Sequence, residues 1–339
     1  MNRFFFLFLI LSIHKIWAQQ DPRFTIFNHN YALINPATVG SKDKLSLVTL
    51  HRSQWVNFGD GTPRTTSFSA DIPVYKLRAG MGITLINDKH GIYRNTTFCY
   101  NYAIVAHTSE YGRLSLGTNV GFSQSTIDYE SIQTDPHNLN IVKDPNLNFG
   151  ENLSIIKPII GLGVYYHDRI FKFGISMPTI NKYNYYGLDG NNGFKTKHYF
   201  ITSGVNLFIN DNLKYNPRVL IKLTPNTPVQ AELSNLIVWK KIGFGTTLRT
   251  AESISLIAAY TFGEHFNVCY AYDIVMFNKL SNKQFGSHEI GLNYIFKIPS
   301  TDLQQKVFHI RNKLKCVDFD RPGNKKFFKH VEDLFYDRN

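Results

Sequence analysis

The chain has 339 residues, a formal net charge of +12, 43% hydrophobic and 14% aromatic residues, and only 3 cysteines. Three cysteines (Cys99, Cys269 and Cys316) exclude a disulfide-framework fold. No Lys/Arg block or nucleic-acid motif accompanies the basic charge, so nucleic acid is not an expected partner, and anionic lipid headgroups, an acidic partner or charges scattered over solvated loops remain.

Residues 1–18 read as a cleaved signal peptide, with Arg3 in the n-region, an apolar run from Phe4 to Ile13 and Ala18 at the cut. That run is too short to span a bilayer, which takes about 20 residues. Processing would leave Gln19 first, and the absence of Cys there argues against a lipid anchor.

Residues 19–43 show neither strand nor helix periodicity. Phe24, Ile26, Phe27, Tyr31, Leu33 and Ile34 stand among Pro and Asn at turn-forming positions. Such a segment needs a surface to receive it, so it is expected to be a plug or latch against a barrel lumen or its periplasmic mouth.

From 44 to 297 the dominant signal is strict alternation, which puts one residue set on each face of a strand. Phe98, Tyr100, Tyr102 and Ile104 oppose Thr97, Cys99, Asn101 and Ala103, and Leu114, Leu116, Val120 and Phe122 oppose Ser115, Gly117, Asn119 and Gly121. Rows led by Phe171 and Ile254 repeat the pattern. Fourteen such segments occur, most of them about 9–12 residues long, as tilted membrane-crossing strands require. The non-aromatic face carries Gly, Ser, Thr and Asn, which suits a polar lumen. In lipid such strands must close, because no backbone group can go unpaired. The expected fold is all-β: a closed antiparallel transmembrane β-barrel of about 14 strands, exported to the outer membrane and facing its lipid. A secreted sandwich or propeller is the soluble alternative.

The two longest connections follow the fifth and seventh segments, whereas short turns at His167–Asp168, Asn210–Asn212 and Trp239–Lys240 follow even ones. Long loops outside and tight turns in the periplasm are the outer-membrane pattern. The basic tail, residues 298–339, is expected to form two short periplasmic helices. The first has a possible capping box at Thr301 and Gln304, with Leu303, Val307, Ile310 and Leu314 at helical spacing. Pro322–Gly323 separates it from Phe327, Phe328, Val331, Leu334 and Phe335.

Catalytic chemistry is not legible. The pairs Gly80/Gly82, Gly161/Gly163 and Gly243/Gly245 precede no helix, so they are not phosphate loops. On the polar face they make room for a plug or bend the strand. The stretch from Leu188 to Gly193 lacks the spaced acidic ligands of a calcium loop. His167 beside Asp168 reads as a turn rather than part of a hydrolase site. No catalytic residue, metal ligand or cofactor is expected.

The segment from Gln19 to Gly91 carries a more specific pattern: Asp21–Pro22, then Asn35–Pro36–Ala37 with Gly40, then Arg52, Gln54 and Trp55. Gly61, Pro63 and a Thr/Ser-rich strand follow, then Asn87–Asp88–Lys89 before Gly91. In this order the chain resembles the PorP/SprF family of outer-membrane barrels from the type IX secretion and gliding-motility apparatus of Bacteroidota. The closing HEIGLNYIF is similar too, while Thr38–Val39 and Asn57 depart from the pattern. The resemblance implies a non-enzymatic secretion component. Its partners would be the periplasmic ring and peptidoglycan-associated lipoproteins, or the C-terminal domain of secreted adhesin cargo. Arg52, Gln54 and Trp55 would then form a barrel-rim hydrogen-bond network or a cargo contact. The competing class is an outer-membrane channel for small hydrophobic molecules, like the long-chain fatty-acid transporters.

Overall fold

The computed structural model describes residues 22–109, 111–128, 153–181, 184–186, 192–194, 197–225, 227–250, 252–275 and 285–296. The expected signal peptide, Asp21, Cys316 and the 298–339 tail lie outside these residues.

Strands form where alternation is strictest. They are β1 (Leu45–Ser53), β2 (Arg64–Val74), β3 (Ala79–His90), β4 (Tyr93–His107), β5 (Arg113–Ile127), β6 (Leu153–His167) and β7 (Phe171–Met177). Next comes β8, in two pieces, Tyr199–Val205 and Leu207–Asn210. The rest are β9 (Leu213–Leu223), β10 (Gln230–Trp239), β11 (Ile242–Arg249), β12 (Ser253–Phe262), β13 (Phe266–Val275) and β14 (Ser287–Phe296). Each pairs antiparallel with the next, and β14 returns to β1 from Leu45↔Phe296 to Ser53↔His288. The sheet is therefore a closed antiparallel 14-stranded barrel, which leaves no edge to be satisfied in lipid. Beside it, Asn184–Tyr186 and Asn192–Phe194 pair as a small two-stranded sheet.

The break in β8 has a local cause. The register runs on across it, from Gly204↔Arg218 to Leu207↔Tyr215, but Val205 there faces Pro217 on β9, which has no N–H to give the ladder; the Arg218 guanidinium donates instead to the Val205 carbonyl at 2.5 Å and to the Asn206 side chain. The ladders beside the fifth connection run further than alternation alone indicates. β5 continues to Ile127 opposite Leu153, so the side-chain pattern fades before the backbone pairing does.

The outward face holds the aromatic and aliphatic rows. Tyr100, Ile104, Leu116, Val120, Phe122, Phe171, Phe173, Ile175, Leu256 and Tyr260 are all exposed there. The inward face holds Ser, Thr, Asn, Gly and a few charges, among them Ser67, Ser69, Asn101, Ser115, Thr247 and Glu289, all buried. Both are what a lipid-facing wall around a polar interior requires. The strand ends that connections 54–63, 128–152, 178–198 and 276–286 join lie at one end of the barrel. Turns 75–78, 168–170, 211–212 and 240–241 gather at the other. Two connections at the long-loop end are themselves short, 91–92 and 250–252.

Candidate functional site

The barrel interior is lined by polar side chains, and residues 22–44 pack against that lining along its height. Three single 3-10 turns (Phe27–His29, Tyr31–Leu33 and Pro36–Thr38) carry the chain. Asn and Pro set the third one. Asn35 Oδ1 accepts from the Ala37 N–H at 2.9 Å, and Pro36 occupies the first helical position, where a missing N–H costs nothing.

At the long-connection end the contacts are ionic. Arg52 on β1 donates to Asp273 on β13 at 2.5 Å and to Glu289 on β14 at 2.9 Å. Arg249 on β11 pairs with Glu232 on β10 at 3.0 Å and lies 3.6 Å from both Asp273 and Glu252. Arg23 reaches Glu252 at 2.7 Å. Three guanidiniums thus meet four carboxylates, and Arg52, Asp273 and Glu289 are at most 2% exposed.

Thr25 is the hub of this network. Its N–H donates to Glu289 at 2.7 Å, and the Ile26 N–H donates to the other oxygen of the same carboxylate at 3.0 Å. The Thr25 hydroxyl donates to Asp273 at 2.8 Å and accepts from Arg52 at 2.9 Å. A buried charge persists only when paired and hydrogen-bonded, and here the backbone of residues 25–26 completes the pairing. Around it, Phe24 and Ile26 join Val48, Leu50, Ile257, Cys269 and Ala271 in an apolar cluster.

Further down, Phe27 packs with Phe200 and Leu220, with Tyr31 and Ile34 against them. Asn30 accepts from Ser69 at 2.9 Å, and the Ile34 carbonyl accepts from Ser176 at 2.7 Å.

At the short-turn end close approaches of backbone to backbone join the hydrogen bonds. Asn35 Nδ2 donates to the Val164 carbonyl at 3.0 Å, and the Gly40 N–H donates to Asp71 at 3.0 Å. A Cβ on Gly80 would stand 1.9 Å from the Val39 carbonyl oxygen, and one on Gly117 would stand 2.4 Å from the Ala37 backbone. No side chain fits at either place, so glycine at both is what admits the segment. Asp43 then meets Arg113 and, through its carbonyl, the Tyr75 hydroxyl at 2.9 Å. The chain therefore runs from the long-connection end at Arg23 to the short-turn end at Asp43 before it turns into β1.

The residues singled out by sequence divide between this seat and the rim. Asn35, Pro36, Ala37 and Gly40 lie buried in its lower half, and Arg52 lies in the ion network rather than on the surface. Pro22 is half-buried beside Arg23. Gln54 and Trp55 sit in the connection beyond β1. The Gln54 N–H donates to the Pro63 carbonyl at 2.9 Å, and the Trp55 N–H donates to Ser287 at 3.3 Å, with Trp55 at φ +50. Asn87 faces outward, and Asp88 accepts from Thr65 at 2.6 Å. Among the described residues their side-chain hydrogen-bond partners are Thr96 and Thr65 rather than residues 22–44. Sequence reasoning missed Thr25, Glu232, Arg249, Asp273 and Glu289. Their one available signal was a charge on the inward register of an otherwise Gly/Ser/Thr face. Among the described residues no group of His, Cys, Asp or Glu is placed to hold a metal ion.

A closed barrel of this size with a polar interior and an apolar belt is an outer-membrane protein. The family model described as type IX secretion system membrane protein PorP/SprF matches residues 16–294. The chain belongs to the PorP/SprF family. No curated protein sequence matches it. Among solved structures it is similar to the CymD monoaromatic hydrocarbon channel, at 10% identity and a TM-score of 0.47, covering 78% of this chain and 92% of that one. It is also similar to a Pseudomonas aeruginosa FadL homologue (10% identity, TM-score 0.43, 78% and 93% covered) and to the KdgM porin (11%, 0.34, 74% and 99%).

Proposed function

We propose that this protein is a non-enzymatic scaffold of the type IX secretion system. It holds periplasmic secretion components and secreted adhesin cargo at the outer membrane rather than passing solutes through its lumen. The observation that carries this reading is the seat of residues 22–44, which act as a plug. Hydrogen bonds, ion pairs and glycine-level backbone contacts fix them along the lumen, and a conducting pathway would have to break that seat. Family membership supplies the machine to which the barrel contributes.

The periplasmic ring, its peptidoglycan-associated lipoproteins and the C-terminal domains of adhesins are the partners this reading takes. The 298–339 tail, basic and aromatic, is its periplasmic docking arm. Purification of the full chain from native outer membranes, with identification of bound proteins, tests it. Recovery of ring components or adhesins supports the scaffold. Specific flux of a small hydrophobic solute at channel rates, with no secretion component recovered, replaces it with the channel reading.

A further inference from the structure

Outside the lumen, one row of the barrel wall breaks the outward pattern. Arg64 opens β2, Lys89 lies near the end of β3 and Arg94 near the start of β4. In the ladder Arg64 stands directly opposite Lys89, and Lys89 directly opposite Arg94. All three are exposed on the outward face.

Like charges placed directly opposite one another destabilise a sheet, since their Cβ atoms are only about 5 Å apart. No hydrogen bond or ion pair joins the side chain of any of the three to another described residue. The carboxylate nearest in sequence, Asp88, is instead engaged by Thr65 and lies 3.5 Å from His90. Among the described residues the row thus holds three adjacent cations and no anion paired with them.

Its height on the wall identifies the missing anion. The next outward row along these strands is Thr66, Asn87 and Thr96, and the one after is Phe68, Leu85 and Phe98, where the apolar belt begins. Four residues of strand at the usual barrel tilt put the cations about 10 Å beyond that belt, which is headgroup depth. The row lies at the long-connection end, the outer side of an outer-membrane barrel. Arginine forks match phosphate geometry, and a lysine between them adds a point charge.

We propose that Arg64, Lys89 and Arg94 form a binding site for the phosphate groups of an outer-leaflet lipid whose acyl chains cover the apolar belt below. The like-charge row is then relieved only in the membrane, which ties the barrel to phosphorylated lipid.

Full-length protein in nonionic detergent, titrated with bis-phosphorylated lipid A and with its dephosphorylated form, tests this by native mass spectrometry. The wild type should retain the phosphorylated lipid preferentially. The triple variant Arg64→Gln, Lys89→Gln, Arg94→Gln should lose about a hundredfold in retention, as expected for three headgroup-level cations. Arg64→Lys with Arg94→Lys should bind between the two, keeping the charge but losing the fork geometry. Should the triple variant fail to show the heat-modifiable migration of a folded barrel, Lys89→Gln alone is read the same way. Equal retention of the two lipid forms, or equal retention by wild type and variants, overturns the proposal. So does full displacement of the lipid by equimolar inorganic phosphate, which would mark a free-anion site.

Discussion

The two ends of the luminal seat hold the same segment by opposite means. At the long-connection end, charges from β1, β11, β13 and β14 converge on Thr25, where specificity comes from pairing. At the short-turn end, glycines on β3 and β5 let the backbone of residues 36–40 lie against the wall, where specificity comes from shape. Buried ions tolerate no loss of a partner, whereas a backbone seat tolerates no added atom. The two ends therefore break under different substitutions.

The largest effect falls on the ionic end. Arg52→Ala leaves Asp273 and Glu289 buried without their shared cation, a loss of about 3–5 kcal/mol. Urea unfolding in detergent, followed by tryptophan fluorescence, measures it. Replacing Arg52, Asp273 and Glu289 together by Leu, Asn and Gln should restore part of that loss, because no uncompensated charge remains.

Next comes the lipid face, which serves as an outside reference for both ends. Leu116→Lys or Leu256→Lys should cost about 2–4 kcal/mol near the bilayer midplane. The loss should show in vesicles and shrink in detergent, where the arginine variant keeps its full effect.

The backbone end responds to added volume. Gly80→Val or Gly117→Val must displace residues 36–40, at about 1–3 kcal/mol. The signature is local: new protease sensitivity within residues 36–44 while the barrel itself resists. The smallest effect belongs to Asn35→Ala, which removes the cap on Ala37 and the bond to the Val164 carbonyl. About 1–2 kcal/mol is expected, in the same protease assay.

The barrel was legible because membrane strands repeat one rule, alternation, fourteen times over, and each repeat is local. Phe98 to Ile104 and Leu114 to Phe122 declare their faces without reference to any other strand. The backbone end of the seat was half legible, since Gly80, Gly82 and Gly163 on the polar register ask what they make room for. The ionic end was not. Arg52 and Asp273 lie 221 residues apart, and nothing in the run from Phe266 to Val275 distinguishes a paired aspartate from an ordinary lumen residue. Arg52 itself drew notice only through a motif, and its position in sequence suggested a rim. Only barrel closure turns it inward onto partners from the other end of the chain.

The central claim, that residues 22–43 occupy the lumen and keep it from conducting, is tested most directly in planar bilayers. Full-length protein is compared there with a chain lacking residues 22–43, both checked for heat-modifiable migration as folded barrels. The full chain should show no steady channel-sized conductance, and the deletion should open one. Equal conductance from the two chains would contradict the account.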